Sequence, residues 1–133
     1  MAREDSQMSR SDFDLDLRYG QAGEVYVNQL LTSPIQTVEC KRDKRWIETG
    51  NLYVETQCWS EFHAEWYNSG LSSSKASHWS FILEDLVLTI PLQTLKKAVG
   101  EYGAPIECDI EPNPSRGYLI TINGLIMAMK GRE

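Results

Sequence analysis

Apolar and polar residues alternate in two segments of the stretch 36–57, and a charged turn separates the two segments. The segments are Thr37–Lys41 and Asn51–Gln57. Because successive side chains of a strand point to opposite faces, this alternation predicts two half-buried β-strands. Thr49-Gly50-Asn51 precedes the second strand and tolerates positive φ angles, so we expect the two strands to form a hairpin.

The same alternation brings charged side chains together. Glu39, Lys41 and Asp43 share one face of the first segment, and Glu55 and Gln57 share one face of the second. If the strands pair with their apolar faces aligned, two carboxylates and a lysine converge on one surface. Such a surface in a small domain points to a bound ligand, whereas the simpler interpretation is a solvated hairpin face.

Helices and strands alternate along the rest of the chain. Apolar residues at helical spacing predict helices, β-branched apolar runs predict strands, and Gly and Pro mark the boundaries. Asn123-Gly124 predicts a hairpin turn between the last two strands. The elements are an extended segment or strand at 13–17, helices at about 20–32, at about 74–83 and from 91 to Gly100 or Gly103, strands at 86–90, 118–122 and 125–129, and a loop at 104–116.

This order predicts an α/β fold in which helices flank a central mixed β-sheet. At 133 residues, the chain has the length of one domain with a core of its own. The polar residues 1–12 are expected to form a disordered N-terminal tail. Residues 13–133 are then expected to form the single domain.

The composition excludes several classes of protein. The hydrophobic fraction of 41% and the charged fraction of 24% are those of a water-soluble globular domain, and no apolar run approaches the roughly 20 residues of a membrane span. The polar, acidic start is not a signal peptide. Three cysteines without a CxxC pair predict reduced thiols and a cytoplasmic location. The two histidines, His63 and His78, are too few for a His-rich metal site and lie in no hydrolase motif.

Charge is distributed unevenly along the chain. The net charge of −6 argues against a large nucleic-acid footprint. However, Lys41, Arg42, Lys44 and Arg45 crowd around Asp43, next to the predicted carboxylate surface. This local basic patch is compatible with phosphate binding.

Two further features are candidates for nucleic-acid contacts. Ser73, Ser74 and Lys75 lie at the start of the predicted helix 74–83, where free N–H groups, hydroxyls and a lysine could cradle a phosphate. Trp46 follows the basic run and could stack on an unpaired base. The alternative interpretations are an ordinary capped helix and a core tryptophan.

Val38-Glu39-Cys40-Lys41 resembles the E-x-K signature of the PD-(D/E)XK nuclease superfamily. The preceding helix with Gly23 and Glu24 is similar to the acidic helix that opens that fold. Four blocks, RYGQAGE, VECKRD, TGNLYVE and SGLSSSKASHW, together resemble a branch of small phage-type nucleases over about residues 17–91. The resemblance extends to archaeal-type Holliday junction resolvases, which are small homodimers.

The chain departs from the superfamily pattern in one respect. The aspartate that normally precedes E-x-K is missing, because no acidic residue lies between Glu24 and Glu39. In one alignment, Glu39 and Lys41 form the E-x-K pair and Glu55 supplies the missing carboxylate. In the other, Glu39 replaces the aspartate and Glu55-Thr56-Gln57 is an E-x-Q variant.

The resemblance implies a restriction-endonuclease-like αβββαβ core and metal-dependent hydrolysis of DNA. Both alignments nominate Glu39, Lys41 and Glu55, with Glu24 from the helix, and the carboxylates would bind Mg²⁺ or its substitute Mn²⁺. Asp43 and Gln57 rank second. The function expected is a structure-specific endonuclease, with alternatives of an exonuclease or nicking nuclease in phage replication or recombination, or an inactive binding module. The protein is expected to act as a homodimer in the cytoplasm, including the host cytoplasm if it is phage-encoded.

Overall fold

The computed structural model describes residues 10–33, 36–110 and 113–130. By its backbone contacts the chain divides into two units, Met1–Gln36 and Thr37–Glu133, and each unit is described by itself. The elements are α1 (Arg10–Thr32), β1 (Val38–Arg42), α2 (Trp46–Thr49), β2 (Asn51–Ser60), β3 (Glu65–Asn68), a 3₁₀ turn (Gly70–Ser72), β4 (His78–Leu83), β5 (Leu86–Pro91), α3 (Leu92–Tyr102), β6 (Ala104–Cys108), β7 (Ser115–Thr121) and α4 (Ile122–Met129).

The first unit contains helix α1, which is longer than the sequence predicts. The helix begins at Arg10 and runs for 23 residues. The segment 13–17 is therefore helical rather than extended, and residues 10–12 of the predicted tail belong to the helix. Residues 1–9 of that tail lie outside the described residues. The apolar pattern that begins at 13–17 fits a helix as well as a strand, because Leu15 and Tyr19 are spaced by one helical turn.

The strands of the second unit are distributed over two sheets. A three-stranded mixed sheet has the order β1-β4-β5, and a four-stranded antiparallel sheet has the order β3-β2-β7-β6. The predicted α/β class is confirmed.

The hairpin predicted between β1 and β2 is wrong. Strand β1 pairs in parallel with β4, whereas β2 lies between β3 and β7 in the other sheet. Helix α2 and the left-handed Gly50, at φ 72°, redirect the chain between the two sheets. The positive φ expected around Gly50 is thus confirmed, but it serves as a helix C-cap instead of a hairpin turn.

The predicted helix at 74–83 is also wrong, since His78–Leu83 is strand β4. Five of its six side chains are buried, as expected for a central strand covered on both faces. The strand predicted at 86–90 is confirmed as β5, but Leu86 and Val87 are exposed because β5 is an edge strand.

In the C-terminal part of the chain, two predicted elements are confirmed and two are wrong. Helix α3 follows Pro91, and β7 contains the predicted strand 118–122 up to Thr121. The predicted loop at 104–116 contains β6. The predicted hairpin at Asn123-Gly124 is helix α4, because the Thr121 hydroxyl accepts a hydrogen bond from the Gly124 N–H at 2.9 Å and caps the helix.

The core lies between the four-stranded sheet and helices α3 and α4, and it extends to β4. Its largest fully buried side chains are Trp79, Phe81, Leu52, Leu83, Leu95, Ile120 and Val54. On β2, Leu52 and Val54 therefore face the core, and Tyr53 and Glu55 face the opposite side. Glu55 is the charged residue of β2 that the sequence analysis singles out. Within the described ranges, no helix has the length and apolar character needed to cross a membrane.

Candidate active site

A cleft of about 670 Å³ lies between the two sheets of the second unit. One wall contains the end of β1 and the turn to α2, and the other contains side chains of β2, β6 and β7. Four basic and two acidic residues line the cleft, namely Lys41, Arg42, Lys44, Arg45, Asp43 and Glu55. The cleft is therefore locally basic in a chain whose net charge is −6.

Glu39 and Lys41 form an ion pair on the same side of β1. The Lys41 Nζ lies 2.7 Å from Glu39 Oε2 and 5.0 Å from the centroid of the Trp79 ring. The Glu39 Oε1 accepts a hydrogen bond from the Ser74 hydroxyl at 2.9 Å. Ser74 in turn accepts a hydrogen bond from Trp79 Nε1 at 3.0 Å. These contacts fix the positions of both the carboxylate and the ammonium at the edge of the three-stranded sheet.

The burial of β1 is the reverse of the expected pattern. Val38 and Cys40 are exposed, and Glu39 and Lys41 are half-buried. The alternation correctly predicts that Glu39 and Lys41 share a face, but this polar face is the one that turns inward. The ion pair and the hydrogen bond from Ser74 compensate the burial of the charges.

Partial burial by itself would raise the pKa of Glu39. The hydrogen bonds from Lys41 and Ser74, together with the positive charge of Lys41, outweigh it and hold the pKa below the usual value. The carboxylate therefore stays ionised to lower pH in the folded protein than in the unfolded chain. Its contribution to stability is complete above the unfolded pKa and disappears as the pH falls through the folded pKa.

We expect Ser74→Ala to raise the pKa of Glu39, because the variant removes one of the hydrogen bonds that favour the ionised form. A pH titration of the Glu39 side-chain carbon by NMR measures the shift. Ser73→Ala is the matched control, since Ser73 is exposed and its hydroxyl contacts the Gly70 carbonyl at 3.4 Å. An unchanged midpoint in Ser74→Ala would show that Ser74 does not stabilise the carboxylate.

Glu55 occupies the other side of the cleft, on β2. Its Oε2 accepts a hydrogen bond from the Ser69 hydroxyl at 2.7 Å. Gly70, with φ at 51°, brings the backbone of this segment directly against the Glu55 carbonyl group, and any Cβ at this position would collide with the carbonyl oxygen. Gly70 thus packs directly against the backbone of Glu55, and no other residue can replace this glycine without strain.

One short segment holds both glutamates. Ser69 binds Glu55 and Ser74 binds Glu39, and the 3₁₀ turn lies between the two serines. Two residues five positions apart are separated by at most about 17 Å, and the 3₁₀ turn shortens that span. The segment 69–74 therefore connects the two carboxylates, although their strands belong to different sheets.

The second-ranked residues have different roles. Asp43 lines the cleft, but its Oδ1 accepts from the Arg45 N–H at 2.8 Å and its Oδ2 from the Tyr53 N–H at 3.2 Å. It connects the turn after β1 to β2. Gln57 does not share a face with Glu55, because a β-bulge between them shifts the register with β7. Gln57 lines a separate pocket of about 340 Å³ with Arg116 and Glu107.

Of the residues predicted to contact nucleic acid, Arg42, Lys44 and Arg45 line the cleft. The helix start on which the phosphate cradle at Ser73, Ser74 and Lys75 was based is absent from the described residues, because His78–Leu83 is a strand, and the Ser74 hydroxyl donates to Glu39. Trp46 is half-buried and packs against the core, so its ring is not an open stacking surface. Its Nε1 is buried without a hydrogen-bond partner among the described residues.

Tyr53 is a cleft residue that the sequence did not single out. Its hydroxyl lies 2.7 Å from the Ser115 hydroxyl. Burial, partly offset by the bond to Ser115 and reinforced by Cys108 and Glu55, raises the pKa of Tyr53 to about 12. The phenol is therefore neutral at physiological pH. The sequence does indicate the position of Tyr53, because it alternates with the buried Leu52 and Val54 and therefore lies on the same side of β2 as Glu55.

Glu24, the fourth predicted acid, is exposed on α1 in the first unit. Among the residues that the structure describes, no three His, Cys, Asp or Glu side chains form a group able to hold a metal ion. Glu39 and Glu55 nevertheless offer the donors that Mg²⁺ prefers, since this ion commonly binds one or two carboxylates and completes its shell with water and substrate phosphates.

The three cysteines are free thiols. Comparisons of the chain with protein-family models, with curated proteins and with solved structures found no match. The geometry of the cleft and the sequence patterns are therefore the basis for the functional assignment.

Proposed function

We propose that the protein is a Mg²⁺-dependent deoxyribonuclease of the PD-(D/E)XK type, with its active site at the cleft. One observation supports this most strongly. Lys41 and Glu55 line a locally basic cleft, Glu39 forms an ion pair with Lys41, and each glutamate accepts a hydrogen bond from the serine-bearing segment 69–74. Two oriented carboxylates and a lysine beside a phosphate-attracting surface are the groups that metal-assisted phosphodiester hydrolysis requires.

The residues divide between binding the ion and contacting the phosphate. Glu39 and Glu55 would hold Mg²⁺. The bound ion supplies Lewis acidity and an activated water, and Mn²⁺ is expected to substitute for it. Lys41 is oriented by Glu39 and by the Trp79 ring, so that its ammonium can donate to a phosphate oxygen. Arg42, Lys44 and Arg45 attract the neighbouring phosphates.

The bulge in β2 favours one of the two alignments with the superfamily. An E-x-Q signature would require Glu55 and Gln57 on the same face, but Gln57 lines a different pocket. Glu39 and Lys41 lie on one side of β1 and form the ion pair. We therefore assign Val38-Glu39-Cys40-Lys41 as the E-x-K element, with Glu55 in place of the missing aspartate.

A second candidate function is a nuclease-like module that binds DNA without cutting it. The observation that favours this alternative is that the described residues contain no three-ligand metal group. Structure-specific cleavage, exonuclease activity, a homodimeric assembly and action in the cytoplasm remain proposals that follow from the resemblance.

The experiment that tests the nuclease proposal is cleavage of labelled DNA with Mg²⁺, with Mn²⁺ and with EDTA. The substrates are a four-way junction, nicked duplex, linear duplex and single-stranded DNA. We expect cleavage with either metal and none with EDTA. A preparation of Glu55→Gln, purified identically, controls for contaminating nuclease. Binding without cleavage under all metal conditions would contradict the nuclease and support the binding module.

A further inference from the structure

We infer that the cleft accepts an unpaired DNA strand rather than a continuous duplex. The inference deepens the proposed function, on which its cleavage part rests, whereas its binding part can be tested without metal. It depends on the size of the cleft, on the chemistry of its lining and on the placement of the basic residues.

The size of the cleft is the first argument. A cube of about 670 Å³ would measure only about 9 Å on each side, which is less than the width of about 12 Å of the major groove of B-DNA and therefore much less than the width of a whole duplex. Lys41 and Glu55 both line this confined space. A whole duplex therefore does not fit inside the cleft, whereas an unpaired strand can enter it without loss of base pairs.

The lining is the second argument. Beyond its charged residues, the cleft is bordered by Tyr53, Ile106, Ile110 and Leu119. Ile110 is 60% exposed, and Tyr53, Ile106 and Leu119 are half-buried, so these side chains offer accessible apolar surface. A duplex presents phosphates and groove edges, whereas an unpaired strand also presents the faces of its bases, which can pack on such surface.

The basic residues are the third argument. Arg42, Lys44 and Arg45 lie along the wall formed by the β1–α2 turn, and the apolar residues belong mostly to the opposite sheet. The wall with the basic residues thus attracts the phosphates of the strand, and the apolar wall contacts its nucleobases. This two-sided arrangement is typical of grooves that bind single-stranded nucleic acid.

The test is fluorescence anisotropy with a labelled 15-nucleotide DNA and its duplex, in EDTA at low salt. We expect the single strand to bind at least about 10-fold more tightly, because base packing adds to the phosphate contacts. Ile110→Ala should weaken single-strand binding several-fold and leave duplex binding nearly unchanged. Ile126→Ala is the matched control, since Ile126 is 46% exposed on α4 and does not line the cleft.

Each outcome is informative about the two proposals separately. Equal affinity for both DNAs, no binding to either, or an unchanged affinity in Ile110→Ala would overturn the inference. Cleavage of duplex with Mg²⁺ at the rate of single-strand cleavage would also overturn it, while the nuclease proposal would stand. Preferential single-strand binding without cleavage by either metal would uphold the inference and refute the nuclease.

Discussion

Lys41→Ala is expected to reduce the rate of metal-dependent DNA cleavage by at least about 100-fold, the scale on which positioned catalytic groups contribute. The ammonium of Lys41 lies 2.7 Å from Glu39 and lines the cleft, so its removal takes away the cation beside the proposed phosphate position. The rate is measured with substrate at saturation, so that weaker DNA binding does not contribute.

The fold should survive this substitution. The side chains of Lys41 and Glu39 are 40% and 34% exposed, and solvent screens such pairs strongly, so the free energy of unfolding should change little. Lys96→Ala is the matched control because Lys96 is an exposed residue of α3. A folded Lys41→Ala variant that cuts DNA at the wild-type rate would remove Lys41 from the active site.

Gly70→Ala is expected to lower the free energy of unfolding by roughly 1–3 kcal/mol and to impair cleavage as well. The new Cβ would collide with the Glu55 carbonyl group, and the φ of 51° is unfavourable for alanine. Relief of the collision must move the segment that carries Ser69 and Ser74, and with it both glutamates. Chemical denaturation measures the stability effect, and cleavage is measured well below the unfolding transition.

Gly100→Ala provides the control for this prediction. Gly100 lies in helix α3 with open space around its Cα, so an added methyl group meets nothing within 4 Å. Alanine is the better helix former, and this variant should be as stable as the wild type or more stable by about 0.5–1 kcal/mol. If Gly70→Ala were equally benign, the 69–74 segment would not be what holds Glu55 in place.

The site residues were predictable from sequence where side-chain alternation alone decided their position. Alternation correctly places Glu39 beside Lys41 and places Glu55 opposite Leu52 and Val54. It does not determine which strands pair, because the parallel partner of β1 is β4, about 40 residues further along the chain. The bulge after Glu55 also left no clear sequence signal, and it moved Gln57 to another pocket.

The errors in the fold came from local signals that tertiary packing overrode. Asn123-Gly124 is a strong hairpin dipeptide, but the Thr121 cap and the burial of Leu125 and Ala128 favour a helix. The serine-rich segment before His78 suggested a helix start. Ser69 and Ser74 of this segment instead bind Glu55 and Glu39, and burial of the following apolar run on both faces selects a central strand.

The dependence of the cleavage rate on Mg²⁺ concentration in Glu39→Gln, Glu55→Gln and wild-type protein tests the central claim most directly. Glutamine keeps the size of each side chain but removes the charge that binds the ion. If both glutamates hold Mg²⁺, each variant should need at least about 10-fold more Mg²⁺ for half its maximal rate, or lose cleavage entirely. Wild-type rates and Mg²⁺ requirements in both variants would contradict a metal-dependent active site at this cleft.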